Sequence, residues 1–177
     1  TGEERWVYKA GIDPNSQRQH QTCRGVSYLP PDDGVASAPA VQNIDGPAED
    51  QAPVSCDAHL YLPTADARLL ALDPATGALC RDFADIGELD LMHNMPFTQD
   101  GFYYSTSPPV VAGGLVIVAG AVNDNYDINS PSGVIRAYDA RTGELRRNWD
   151  PANPEQTAPF SGTIDPETRA ALERIGR

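Results

Sequence analysis

The stretch AGAVNDNYDINSPSG, residues 119–133, collects oxygen-bearing side chains between two apolar segments. It holds two carboxylates and three side-chain amides, those of Asp124, Asp127, Asn123, Asn125 and Asn129. Hard divalent cations bind such oxygens, and a strand end is a rigid place from which to present them. The EF-hand spacing is absent, and a polar turn that satisfies its own backbone is the competing interpretation. Composition alone leaves both open.

A second group of reactive side chains lies in QHQTCRGVSY, residues 19–28. Arg24 could form a bidentate ion pair with a carboxylate, and His20 could donate or accept a proton. The alternative is an ordinary turn with surface charges. In YYSTSPPVV, the hydroxyls of Thr106 and Ser107 precede a Pro-Pro pair. They either terminate a strand or bind an anionic ligand.

Zinc is a further possibility, because His20-x-x-Cys23 and Cys56-x-x-His59 form mirror-image pairs. Two His and two Cys can hold zinc tetrahedrally. The separation between the pairs is long for a zinc finger. The three cysteines also permit one disulfide and one free thiol, and their spacing does not select a pairing.

Composition narrows the class of protein. The 177 residues suffice for one domain with a real core. The net charge is 13 − 25 = −12, which argues against a nucleic-acid binder. Gly-x-Gly-x-x-Gly, P-loop and Gly-x-Ser-x-Gly motifs are absent, as are a signal peptide and an apolar run long enough for a membrane helix. The 16 Pro and 15 Gly favour many turns and short strands.

An internal repeat organises the chain. ALDPATGALCRDF starts at residue 71 and AYDARTGELRRNW at residue 137, and both read Ala-x-Asp-x-x-Thr-Gly. Phe83 and Trp149 follow the glycines by six residues, and a truncated copy places Trp6 after Gly2. Each copy predicts a strand, a turn with Gly at positive φ, and a second strand ending at the aromatic residue. Such spacing suits propeller blades with inserted loops.

Flanking hairpins complete these units. The pattern predicts strands near 59–63, 68–73, 108–112, 115–121 and 133–139. Residues 30–53 are Pro-rich and acidic and predict an exposed insertion. After residue 160 the pattern changes, and Asp165 as N-cap with Pro166 at the first helical position predicts a helical tail over 161–177.

These segments resemble the membrane-bound quinoprotein glucose dehydrogenase family, including its quinate/shikimate branch. The matching segments are HQTCRGVSY, LPTADARLLALDPATGALC, YYSTSPPVVAGGLVIVAGAVNDN and PSGVIRAYDARTGEL. They occur in the family's order over roughly residues 1–152. The resemblance implies an all-β fold, a partial propeller of two to three blades out of eight.

The same resemblance implies a function. The family binds pyrroloquinoline quinone (PQQ) with Ca²⁺ or Mg²⁺ on the propeller axis, at the periplasmic face of a bacterial inner membrane. It oxidises a sugar or cyclitol hydroxyl and passes electrons to ubiquinone. The membrane anchor of the family has no counterpart in this chain.

Individual residues match the family's motifs. Asp124 falls at the position of an acidic metal ligand, and Asn125 is its neighbour in the cofactor site. Arg24 matches an arginine near the PQQ carboxylates, and Thr106 with Ser107 matches a Thr-Ser-Pro-Pro motif at the same carboxylates. His20 matches a histidine near quinone and substrate, the catalytic candidate in this chain.

Some features depart from the family. The catalytic aspartate of a later blade has no counterpart, so we expect residues 1–177 alone to be catalytically inactive. The blade-docking Trp expected four residues after Gly143 is Arg147, and Trp149 is the candidate substitute. The rival interpretations are a non-catalytic propeller scaffold and a small zinc-stabilised β domain.

Overall fold

The computed structural model describes residues 2–14, 25–32, 50–95, 99–123, 131 and 133–150. Their regular structure is almost entirely antiparallel β, as predicted. The ten strands are β1 Ser27–Leu29, β2 His59–Pro63, β3 Arg68–Leu72, β4 Glu88–Asp90, β5 Tyr103–Tyr104, β6 Val110–Ala112, β7 Leu115–Ala119, β8 Ala121–Val122, β9 Ile135–Asp139 and β10 Leu145–Trp149.

Two four-stranded antiparallel sheets account for eight of these strands. The first has the order β1-β2-β3-β4 and the second the order β6-β7-β9-β10. Within each sheet, chain order equals spatial order, which is the meander of a propeller blade. The remaining strands, β5 and β8, pair with each other, with Tyr103 opposite Val122. The predicted partial propeller is confirmed as two blade-like sheets.

Period-two alternation directs one face of each sheet toward the other. Tyr61 and Ala71 are cross-strand partners in the first sheet, and both are fully buried. In the second sheet, Val116 pairs with Tyr138, and both are also buried. These side chains share one apolar cluster, so the main core lies between the sheets.

The opposite face of the second sheet is apolar and uncovered. Val110, Trp149 and Ile135 are 58%, 53% and 36% exposed. Cross-strand pairing aligns Val110 with Ile117 and Ala137, and Ile135 with Trp149. This apolar stripe is open at Val110, Ile135 and Trp149, whereas Ala137 within it is buried. Exposed apolar side chains of this kind are expected at the end of a stack of blades. The predicted docking role of Trp149 has no partner sheet in the described part of the chain.

The repeated Asp-x-x-Thr-Gly turns have the same hydrogen bonds. Asp73 Oδ1 accepts from the N–H of Ala75 at 2.6 Å, and Asp139 Oδ1 accepts from the N–H of Arg141 at 2.9 Å. Each aspartate carbonyl also accepts from the N–H of the glycine four residues later. Those glycines have φ of +78° and +72°. The turn is therefore set by residues within five positions of one another.

Each turn docks on a neighbouring part of the chain. The indole N–H of Trp6 donates to Pro74 O at 3.1 Å, inside the first turn. The N–H of Ala84 in the first sheet's loop donates to Thr142 O at 2.9 Å, inside the second turn. A Cβ on Gly143 would lie 2.8 Å from Ala84 Cβ, so this close approach requires glycine.

The strand predicted after the first turn is wrong. The second copy forms β10, which ends at Trp149, but residues 78–83 make only isolated bridges and a turn. Leu79 still bridges Leu72 of β3, and Val54 pairs on the other side. The Val54 N–H donates to Leu79 O at 2.9 Å, and its carbonyl accepts from the N–H of Arg81 at 2.8 Å. The fourth strand, β4, pairs instead with β3.

Other predictions fall partly or wholly outside the described residues. The insertion predicted over 30–53 is described only at its ends, where Pro31 is buried. The helical tail over 161–177 stays a prediction. No helix among the described residues is long and apolar enough to cross a membrane.

Candidate functional site

The first strands of the two sheets lie side by side at one edge of the molecule. The Ser27 hydroxyl in β1 donates to the carbonyl oxygen of Pro109, just before β6. A Cβ built on Gly25 would lie 3.0 Å from Pro108 Cγ. Gly25 has φ of +138°, a conformation that other residues rarely adopt. The segment before β1 is therefore packed against the Pro-Pro segment before β6.

The two predicted anion-binding hydroxyls lie at this edge. Thr106 is half-buried and Ser107 is exposed. Beneath them Ser105 is buried, and its Oγ lies 3.0 Å from Ser107 O and 3.2 Å from Ala119 O. Exposed hydroxyls on a fixed backbone turn can donate hydrogen bonds to the carboxylate groups of a ligand. The described residues at this edge thus fit an anionic cofactor.

The β5–β8 ribbon connects this turn to the acidic loop. Asn123 is buried, and its N–H donates to Phe102 O at 2.8 Å. Tyr103 packs on Gly120 so closely that a Cβ there would lie 2.3 Å from its ring. Asp124 follows Asn123 directly in the sequence. The ribbon therefore fixes the residue from which the predicted metal-binding loop starts.

Four predicted site residues lie outside the described part of the chain, namely His20, Arg24, Asp124 and Asn125. Their roles stay predictions. Within the described residues, no group of three His, Cys, Asp or Glu side chains could hold a metal ion.

The zinc interpretation is wrong for Cys56. Cys56 and Cys80 form a disulfide with Cα atoms 5.4 Å apart. A disulfide sulfur carries no thiolate to bind zinc. The intended partner His59 is buried, stacks on Tyr61, and lies with Nδ1 3.2 Å from an Arg141 nitrogen. The four proposed zinc ligands therefore cannot act together.

Arg141 forms a joint between the sheets that sequence patterns did not reveal. Its guanidinium donates to the carbonyl oxygens of Asp57 and Pro30 and pairs with Asp32 at 2.9 Å. Burial, reinforced by the charge of Arg141, lowers the pKa of His59 from 6.5 to about 4. The imidazole is therefore neutral near pH 7. This joint links residues 30–32 and Asp57 to the second Asp-x-x-Thr-Gly turn.

A cleft of about 530 Å³ with both polar and apolar lining residues opens at the other edge of the sheets, between β4 and the pair β9–β10. At its base the buried Arg136 donates to Leu91 O at 2.8 Å. Asp85, Glu88 and Asp150 also line the cleft. Neither Thr106 nor Ser107, the two predicted site residues in the described part of the chain, lines it. The candidate site is therefore the edge where β1 meets β6, called the inner edge below.

Comparison with known proteins supports the same family. The chain is 37% identical to "Quinoprotein glucose dehydrogenase" of Escherichia coli (strain K12) over 158 residues, which are 89% of this chain and 18% of that protein. It is 33% identical to "Quinate/shikimate dehydrogenase (quinone)" of Acinetobacter baylyi over 156 residues, 88% of this chain and 19% of that protein. The chain thus spans about a fifth of the length of these relatives.

Among solved structures, quinohemoprotein alcohol dehydrogenase from Comamonas testosteroni matches 64% of this chain and 15% of its own chain, at 28% identity and a TM-score of 0.41. A TM-score below 0.5 is too low to support an inference about this chain. The decisive match is to the family described as "PQQ: Glucose/ethanol/alcohol dehydrogenase, beta-propeller domain", which covers residues 1–171. Together with the two blade-like sheets, this match shows that the chain belongs to the PQQ-dependent dehydrogenase β-propeller family.

Proposed function

We propose that this chain supplies part of the cofactor site of a PQQ-dependent dehydrogenase that oxidises a sugar or cyclitol hydroxyl and passes the electrons to ubiquinone. The observation that carries the proposal is the placement of the Thr106 and Ser107 hydroxyls where β1 meets β6. We infer that this edge would face the propeller axis in the complete propeller. The glucose and quinate relatives support the substrate class.

Each proposed site residue has a defined task. Thr106 and Ser107 donate hydrogen bonds to carboxylates of PQQ, and Arg24 pairs with the same carboxylates. Asp124 supplies a charged oxygen ligand for Ca²⁺ or Mg²⁺, and Asn125 contributes to binding of the cofactor. His20 holds or moves a proton near the substrate hydroxyl. When bound, PQQ and its metal ion supply the electron acceptor and its Lewis-acid polarisation.

The disulfide supports the proposed compartment. Disulfides such as Cys56–Cys80 form and persist in oxidising compartments, which include the bacterial periplasm. We propose that the chain works at the periplasmic face of the inner membrane.

Cofactor titration of the complete propeller tests the proposal. Apoprotein should recover PQQ-dependent dye reduction with glucose or quinate only when PQQ and Ca²⁺ or Mg²⁺ are both added. The double variant Thr106→Val with Ser107→Ala should weaken PQQ binding about tenfold or more, since two hydrogen bonds to charged groups are lost. Failure of wild type to bind PQQ in equilibrium dialysis would contradict the proposal.

The metal ligand has its own test. Asp124→Asn removes a formal charge from a site for a hard cation. We expect the concentration of Ca²⁺ or Mg²⁺ needed for half-maximal PQQ reconstitution to rise at least about tenfold. The matched control is Asp66→Asn, whose carboxylate pairs with Arg68 in the hairpin between β2 and β3. An unchanged metal requirement in Asp124→Asn would show that Asp124 is only a turn residue.

A further inference from the structure

The turn that carries Thr106 and Ser107 has unusually few backbone donors. Pro108 and Pro109 follow it, and proline has no N–H group. Ladder hydrogen bonds from this segment are therefore missing at two successive positions. Its carbonyl oxygens remain able to accept hydrogen bonds from donors elsewhere in the fold.

Two serine hydroxyls lie on these carbonyl oxygens. Ser105 Oγ lies 3.0 Å from Ser107 O, on the near side of the prolines. Ser27 Oγ donates to Pro109 O from the neighbouring sheet, on the far side. One contact therefore precedes the Pro-Pro pair and the other lies at its second proline.

Packing also restrains residues 105–109. Gly25 lies against the ring of Pro108, with its absent Cβ position 3.0 Å from Cγ. Ser105 is buried, and its Oγ also lies 3.2 Å from Ala119 O in β7. The segment 105–109 is thus held against β1 on one side and against β7 on the other.

We propose that Ser27 and Ser105 are positioning residues that fix the Thr106–Ser107 turn for binding the carboxylate groups of the cofactor. This inference rests on the proposed function. Neither serine needs to touch the cofactor. Each serine constrains the backbone that carries the Thr106 and Ser107 hydroxyls, which contact the cofactor. A mobile turn would bind more weakly, because ordering it on binding costs free energy.

The test measures PQQ affinity of the complete propeller by equilibrium dialysis at saturating Ca²⁺, alongside thermal unfolding without PQQ. Ser27→Ala and Ser105→Ala should each raise the Kd for PQQ about three- to tenfold, the effect of one net hydrogen bond. At saturating PQQ, kcat should change less than about twofold, because the bound cofactor itself orders the Thr106–Ser107 turn. Ser27→Thr, which keeps a hydroxyl, should restore affinity.

The matched control is Ser55→Ala. Ser55 also donates a side-chain hydrogen bond, to Asp82, but on the loop that carries the disulfide and not at the inner edge. It should leave the Kd for PQQ unchanged. If Ser105→Ala fails to fold because Ser105 is buried, Ser27→Ala decides the matter, since Ser27 is only half-buried.

The outcomes separate this inference from the proposed function. If the Thr106→Val with Ser107→Ala variant loses affinity but neither serine variant does, the positioning role is overturned and the cofactor site stands. If the serine variants unfold at lower temperature yet bind PQQ normally, their role is structural only and the proposal is likewise wrong. If the double variant binds PQQ as wild type does, the proposed function itself fails at this edge.

Discussion

The buried hydroxyl of Tyr61 in β2 donates to the carbonyl oxygen of Ala140, a residue 79 positions further along the chain. Ala140 is the second residue of the second Asp-x-x-Thr-Gly turn, directly after β9, and is itself buried. One side-chain hydrogen bond therefore joins the centre of the first sheet to the turn of the second. Arg141 and the backbone of Thr142 complete the joint.

Tyr61→Phe should destabilise this joint with almost no change in volume. The substitution leaves the Ala140 carbonyl buried without its donor, which costs about 1 to 3 kcal/mol of unfolding free energy. Urea unfolding followed by circular dichroism measures the loss. Tyr28→Phe is the matched control, because Tyr28 is 45% exposed. Equal effects of the two substitutions would show that the Tyr61 hydroxyl contributes nothing to the joint.

Acid should weaken the same joint through His59. Its pKa in the folded protein is about 4, against 6.5 ordinarily, so the unfolded chain binds the extra proton first as pH falls. The contribution is fully present above pH 6.5 and is lost as pH falls through 4. A difference of that size corresponds to about 3 kcal/mol.

Unfolding free energies measured between pH 7 and pH 3.5 check this expectation. His59→Gln should flatten part of the profile, because glutamine can accept from Arg141 and does not titrate. The control His93→Gln alters an exposed histidine and should retain the wild-type slope. A wild-type slope in His59→Gln would show that the acid sensitivity does not arise from His59.

The disulfide predicts a thiol count and a stability difference. Non-reduced protein should react with one equivalent of alkylating reagent, at Cys23, and reduced protein with three, as mass spectrometry can measure. Because the bridge closes a 24-residue separation, its removal should cost about 2 to 4 kcal/mol. Cys56→Ser with Cys80→Ser should reproduce that loss, whereas Cys23→Ser should not. Three reactive thiols before reduction would show that the bridge does not form.

Residues 1–177 expressed alone should be marginally stable or oligomeric, and inactive in dye-linked oxidation of glucose or quinate with PQQ and Ca²⁺. The reason is the uncovered stripe that contains Val110, Ile135 and Trp149. Ile135→Lys should reduce self-association in analytical ultracentrifugation. Ile86→Lys is the control, because Ile86 is exposed in a turn away from that sheet face. A stable wild-type monomer with PQQ-dependent turnover would contradict this expectation.

Local sequence determined the repeating unit. Asp73 and Asp139 hydrogen-bond residues two to four positions away, so the Asp-x-x-Thr-Gly pattern specifies its turn without help from the rest of the chain. Strand positions followed from alternation, and β2 and β3 lie within one residue of their predicted bounds. The family motifs predicted Thr106 and Ser107 as site residues, a role that stays a proposal.

Tertiary structure decided the contacts between distant segments. The sequence left the cysteine pairing open, and only the packing of residues 50–57 beside residues 79–81 brings Cys56 to Cys80. The segment before Phe83, predicted as a strand, makes only isolated bridges to Val54 and Leu72. Ser27 and Pro109 are 82 residues apart, and Tyr61 and Ala140 are 79 apart. These hydrogen bonds form only after the two sheets have packed together. The residue pattern within each segment does not specify how far apart the segments lie in the fold.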